Sequence, residues 1–197
     1  MTGMARLILI TGGARSGKSS YALSVAEKIS ENRVFIATCP HLDSEMSVRI
    51  KRHTEERRGR GWQTIEEEIQ LDHLFPGRVK GMDVILIDCI TLWVNNILYT
   101  FGEENVDDCR IKELCSLWLE KMTEFQGTVI CVTNEIGMGV VPENSLARKY
   151  RDLVGTCNQL LGEIADEVIL VSCGIPLSIK KHSDSCYSKA GDARNRG

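Results

Sequence analysis

One stretch, Gly12-Gly13-Ala14-Arg15-Ser16-Gly17-Lys18-Ser19, restricts this chain more than any other. It fits G-x-x-x-x-G-K-[ST], the pattern of a phosphate-binding loop. Leu7-Ile8-Leu9-Ile10 before it reads as a buried strand, and Ser19–Ala26 after it reads as the opening of a helix. Glycines let the backbone turn tightly and approach an anion closely. The N–H groups of the loop and of the helix N-terminus then point at phosphate oxygens. In that setting Lys18 reaches the terminal phosphates and Ser19 ligates magnesium. An ordinary glycine-rich strand–helix turn is the plainer reading, and the strand and helix on either side weigh against it.

The rest of the chain alternates apolar strand-like runs with helical patterns. The runs are Leu7–Thr11, Val34–Thr38, Val84–Asp88, Val129–Thr133 and Val168–Ser172. Each is near-continuous in Val, Ile and Leu, as a parallel sheet covered on both faces requires. The expected fold is α/β: a three-layer α/β/α, mostly parallel sheet with right-handed crossovers. Pro176–Lys180 is expected to turn back as an antiparallel edge strand. Ligands in such sheets bind beyond the carboxyl ends of the strands. There Asp88 closes an apolar run expected beside the P-loop strand, where an acid holds magnesium or its water. A turn or cap carboxylate is the bland reading of Asp88.

Asp43 and Glu45 mark a helix start. Met46, Ile50, His53 and Arg57 then form one helical stripe. Spacing alone leaves His53 open between a half-buried, hydrogen-bonded histidine and a group facing the nucleotide. The basic cluster Arg49, Lys51, Arg52, Arg57, Arg58 and Arg60 is either a solvated face or a set of charges for a triphosphate. Trp62–Glu66 leads into a second expected helix ending near Phe75. Thr91–Phe101 reads as a buried helix. In Val106–Phe125, Ile111, Leu114, Leu117, Trp118 and Met122 keep helical spacing. A long helix begins near Asn144 or Ser145, with Leu146, Tyr150, Leu153, Cys157, Leu160 and Ile164 on its buried side. The tryptophans are expected in the core or at an interface.

At 197 residues the chain fits one domain, expected over 1–182, with a disordered tail over 183–197. The net charge of −3 gives no pull toward nucleic acid or anionic membrane. No apolar run approaches the roughly 20 residues that span a bilayer. The N-terminus runs straight into the first strand, which leaves no room for a cleavable signal. A cytoplasmic protein is therefore expected. The eight cysteines lack C-x-x-C spacing, so a zinc site is disfavoured. Cys89, Cys131 and Cys173 sit in apolar runs and read as reduced core residues.

Several stretches together resemble one family. They are Thr11–Ser19, Ile36-Ala37-Thr38, Asp43-x-Glu45-Met46-x-x-Arg49-Ile50-x-x-His53, Trp62-x-Thr64-x-Glu66, Asp88-Cys89-Ile90-Thr91 and Thr133–Asn144. The chain is similar, over about residues 7–180, to the bifunctional adenosylcobinamide kinase/adenosylcobinamide-phosphate guanylyltransferases of cobalamin biosynthesis. That resemblance implies a RecA-like P-loop fold, a homotrimer, and a small-molecule corrinoid substrate used with ATP and GTP. The family phosphorylates the aminopropanol hydroxyl of adenosylcobinamide, takes GMP from GTP onto a histidine, and passes GMP to the cobinamide phosphate. The matching histidine is His53. The matching nucleotide contacts are the P-loop, Ala37, Thr38, Cys39, Thr54, Glu55, Glu56, Arg57, Glu66 and Asp88, with Ser19 and Asp88 on Mg2+. Thr156 and Leu160 stand where the family's long helix usually carries basic residues.

Two other readings compete. One is a P-loop kinase of another small metabolite, which needs Lys18, Ser19 and Asp88 but not His53. The other is a nucleotide-switched RecA-like binding module.

Overall fold

The computed structural model describes residues 5–40, 54–75 and 77–181. The expected helix start at Asp43, the stripe through His53 and the tail lie outside them. Seven strands form one sheet: β1 (Arg6–Thr11), β2 (Arg33–Ala37), β3 (Trp62–Glu66), β4 (Val84–Asp88), β5 (Thr128–Val132), β6 (Glu167–Ser172) and β7 (Ile175–Lys180). Their order is β3-β2-β4-β5-β1-β6-β7. All pairings are parallel except β6–β7, the antiparallel edge expected from Pro176–Lys180.

Alternate residues of each central strand feed two cores, because successive side chains point to opposite faces. Leu7, Leu9, Ile85, Ile87, Val129 and Cys131 face one side. There they meet α2 (Ile90–Phe101), α3 (Asp108–Met122) and α4 (Ser145–Ile164). Ile8, Ile10, Phe35, Leu86, Ile130 and Val132 face the other, against Ala22, Leu23 and Ala26 of α1 (Lys18–Ile29). Burial on both faces explains the near-continuous apolar runs. Trp93 and Trp118 anchor the three-helix side. Asp107 caps α3 by accepting from the Arg110 amide (2.8 Å), and Asn144 caps α4 by accepting from the Ala147 amide (3.1 Å). Each cap contributes about 1 kcal/mol.

Four expectations need correction. Residues 62–66 are a strand, and beyond them only a 3-10 turn, Leu71–Leu74, stands where a helix to Phe75 was expected. β3 is an edge strand with polar, exposed positions, so it lacks the apolar run that marks its neighbours. Asp88 does not lie on the strand beside β1, because β5 stands between them. Leu117, Leu146 and Ile164 are exposed; the helices bury Cys115, Leu119, Val154 and Leu161 instead. Cys173 is no core residue but an exposed member of the β6–β7 turn, with φ 53°. Cys89, Cys115, Cys131 and Cys157 are buried thiols. Burial pushes Cys131 well above the usual thiol range, so it stays protonated.

Candidate nucleotide-transfer site

The strand registers set one line across the sheet. Glu66 pairs with Ala37, Ala37 with Asp88, Asp88 with Val132, and Val132 with Ile10. Thr38, Thr133 and the P-loop therefore emerge at one level, the carboxyl edge where α/β sheets take ligands.

On β1, Thr11 leads into a loop whose shape is imposed by contacts. A Cβ on Gly12 would lie 2.3 Å from the Val171 carbonyl oxygen and 2.7 Å from Ser16 Oγ, so only glycine fits. Gly17 takes φ 93° at the N-cap of α1, which also requires glycine. The Gly174 amide donates to the Ser16 carbonyl (2.8 Å), so the β6–β7 turn braces the loop. Lys18 is buried and folds back to donate to the Gly13 carbonyl at 3.0 Å. Gly13, Ala14 and Arg15 are exposed. Ser16 Oγ is buried without a hydrogen-bond partner among the described residues. A buried hydroxyl left unpaired costs about 1–3 kcal/mol, which a phosphate oxygen would offset. Ser19 sits in the first turn of α1. Its hydroxyl and the Asp88 carboxylate are hard oxygen donors suited to magnesium, which takes one or two protein ligands and completes its shell with phosphates and water. Among the described residues no group of three or more His, Cys, Asp or Glu forms a fuller cage.

The middle of the edge is tied down by Thr38, whose hydroxyl donates to the Cys89 carbonyl (2.9 Å) and accepts from the Cys89 amide (2.7 Å). Buried Asn96 of α2 donates to the carbonyls of Thr38 (2.7 Å) and Glu68 (3.0 Å), fixing the ends of β2 and β3 from below. Asp88 and Cys39 are half-buried, and Glu66 is exposed.

Residues 54–57 are helical and end on Arg57. The Arg57 guanidinium lies over the Phe35 ring, 3.6 Å from its centroid, and is buried with Nε and Nη1 unpaired among the described residues. Burial lowers its pKa, while the charges of Asp88 and Glu56 act against that shift. A buried cation of this kind is built to receive an anion. Thr54, Glu55, Arg57, Arg58, Gly59, Gly61, Trp62 and Thr64 line a cavity of about 600 Å³. None of the P-loop residues belongs to its wall, which runs along β3 from its amino end at Trp62, so the predicted contacts fall into two places, one at the carboxyl edge and one beside β3.

Sequence reasoning quoted Thr133–Asn144 for resemblance without giving Glu135 a task. In the structure Glu135 reaches the P-loop. Its Oε1 accepts from Thr11 Oγ1 at 2.6 Å and its amide donates to the Gly12 carbonyl at 3.3 Å. The available signal was position: an acid just past the end of an apolar strand, as at Asp88.

The profile described as cobinamide kinase / cobinamide phosphate guanyltransferase matches residues 8–179. The bifunctional adenosylcobalamin biosynthesis protein CobU of Salmonella typhimurium is 40% identical over 182 residues, covering 88% of this chain and 99% of that protein. Its namesake from Escherichia coli is 39% identical over 185 residues, with the same coverages. The bifunctional adenosylcobalamin biosynthesis protein CobP of Pseudomonas aeruginosa is 36% identical over 172 residues, covering 87% of this chain and 96% of that one. Among solved structures, the flagellar accessory protein FlaH of Methanocaldococcus jannaschii aligns at a TM-score of 0.49 and 15% identity, covering 92% of this chain and 81% of that one. A family profile that spans the sheet from β1 to β7, with relatives matched over nearly their whole length, places this chain in the cobinamide kinase / cobinamide phosphate guanyltransferase family.

Proposed function

We propose that the chain phosphorylates the aminopropanol hydroxyl of adenosylcobinamide with ATP or GTP, takes GMP from GTP onto His53, and transfers it to the cobinamide phosphate. The product is adenosylcobinamide-GDP. The observation that carries this reading is the shared edge of the sheet. A glycine-only phosphate loop follows β1, Asp88 ends β4 two strands away, and the buried Arg57 guanidinium lies over Phe35 of neighbouring β2 with Nε and Nη1 unpaired among the described residues.

Phosphoryl and nucleotidyl transfer need positioning and charge neutralisation more than covalent machinery. The P-loop amides and Lys18 serve the phosphates. Magnesium, held by Ser19 and Asp88 when bound, adds charge neutralisation at the transferred phosphoryl. His53 lies outside the described residues. Four positions later Arg57 packs over Phe35 of β2, where the Asp88 charge acts on it, and this supports a place for His53 near the same side of the site. A neutral imidazole nitrogen attacks the α-phosphorus and pyrophosphate leaves. A phosphate oxygen of the substrate then attacks the same phosphorus and frees the histidine. Ala37, Thr38, Cys39, Thr54, Glu55, Glu56, Arg57 and Glu66 complete the proposed nucleotide contacts.

We read residues 1–182 as one cytoplasmic domain, supported by the single seven-stranded sheet; no described helix is long and apolar enough to cross a membrane. A homotrimer has support in the exposed apolar face of Ile175, Leu177 and Ile179 on β7.

The test is an intact-mass measurement after incubation with GTP and magnesium. One GMP should add, acid-labile and base-stable, and map to His53. His53→Ala should lose the adduct and the GDP-cobinamide product yet still phosphorylate cobinamide. Mapping of the nucleotide to His41 would overturn the assignment.

A further inference from the structure

We propose that Glu135 is the base that takes the hydroxyl proton in the kinase step, an assignment that rests on the kinase reading given above. The first ground is place. β5 lies between β1 and β4, so the residues after it stand between the P-loop and Asp88. Glu135 touches both the last residue of β1 and the first glycine of the loop.

The second ground is orientation, which a chain of hydrogen bonds fixes donor by donor. The Asn134 amide donates to Thr91 Oγ1 (2.7 Å). Thr133 Oγ1 donates to Asn158 Oδ1 (2.7 Å), so at its 3.1 Å contact with Thr91 it can only accept. Asn158 therefore presents Nδ2, which donates to the Asn134 carbonyl (3.1 Å) and to Glu135 Oε1 (3.3 Å). With Thr11 donating as well, Oε1 is fully occupied. Among the described residues nothing donates to Oε2, and no cation pairs with this half-buried side chain.

The third ground is what the fold does not need. An amide at this position would accept the same two bonds through its oxygen, so the scaffold requires no charge there. A negative charge beside a loop that binds polyphosphate opposes ground-state binding. Proton removal is the chemistry that calls for it, as an aspartate serves in protein kinases. The hydroxyl oxygen forms a bond to the γ-phosphorus as the bond from that phosphorus to the β–γ bridging oxygen breaks. The nucleoside diphosphate leaves with that electron pair, and the hydroxyl proton passes to Oε2 and then to water.

Glu135→Gln keeps the Oε1 bonds and removes the base. Its kinase kcat should fall about a hundredfold, the lower end of general-base contributions. The Kd of a non-hydrolysable ATP analogue should stay the same or tighten. GMP-adduct formation from GTP should stay within about threefold of wild type, since no hydroxyl is deprotonated there. A kinase kcat within about tenfold of wild type overturns the assignment, as does a parallel loss of adduct formation or of nucleotide affinity. Should Glu135→Gln not fold, Glu135→Asp withdraws the carboxylate by one methylene, and unchanged kinase turnover overturns the assignment equally. Wild-type protein with no cobinamide kinase turnover overturns the functional reading itself, whereas an active wild type with an equally active Glu135→Gln overturns only the role of Glu135.

Discussion

Two regions of the sheet are built differently, the P-loop after β1 and the cavity beside β2 and β3. At the P-loop the backbone is braced from three sides: Gly12 against the Val171 carbonyl and the Glu135 amide, Ser16 against the Gly174 amide, and Lys18 against Gly13. Beside β3 the strand is half exposed, a cavity of about 600 Å³ lies open, and Arg57 is buried with two nitrogens unpaired among the described residues. The first has its backbone fixed before a ligand arrives and leaves only the Ser16 hydroxyl to be satisfied; the second, among the described residues, leaves a buried cation without hydrogen-bond partners on two of its nitrogens. Preorganisation at the phosphates lowers the cost of ordering them and aims fixed dipoles at developing charge. Incompleteness beside β3 makes occupancy itself stabilising there.

That contrast can be broken by substitutions in and between the two regions. Lys18→Ala should cut kinase turnover to below about a hundredth, since one lost charge clamp costs several kcal/mol of barrier. Its melting temperature should hardly move, because the backbone bonds at Gly12 and Ser16 remain when the Lys18 bond to Gly13 is lost. A large drop in melting temperature would show that Lys18, and not the backbone, holds the loop. Asp88→Asn should lower turnover by about tenfold and raise the magnesium needed for half-maximal rate, with nucleotide Kd little changed. An unaltered magnesium dependence would remove Asp88 from the metal site. Arg57→Met should act least on turnover, slowing GMP-adduct formation by about tenfold. Its melting temperature should hold or rise, because an unpaired buried charge is replaced by an apolar chain. A protein that melts several degrees lower with adduct formation intact would make Arg57 a structural residue and the contrast false.

Much of the architecture was readable because burial on both faces writes itself as unbroken apolar runs. Five strands were found that way, and a sixth followed from its turn. β3 was not, since Trp62, Gln63, Thr64, Ile65 and Glu66 form an edge strand whose Trp62 is met by Arg33 over its ring and by Phe35 edge to face. Strand order was also hidden. No local pattern says that β5 separates Asp88 from the P-loop, or that Thr11 and Asn158 converge on Glu135, because these are contacts between distant segments. The P-loop residues were readable from chemistry alone; Arg57 and Glu135 show their surroundings only once the chain is folded.

β1 has a further consequence for how the protein comes to exist. It precedes every other described strand, yet it is paired with β5 and β6, so Arg6 waits for Thr128 and Ile8 for Glu167. Such distant partners make for slow closure and high contact order. A ribosome-bound chain that has not yet emerged past Gly174 displays the complete phosphate-loop motif but lacks the turn that braces it. Nucleotide binding is therefore a late event in the folding of each molecule, because the phosphate loop is complete in sequence long before the strands and turn that hold it are in place.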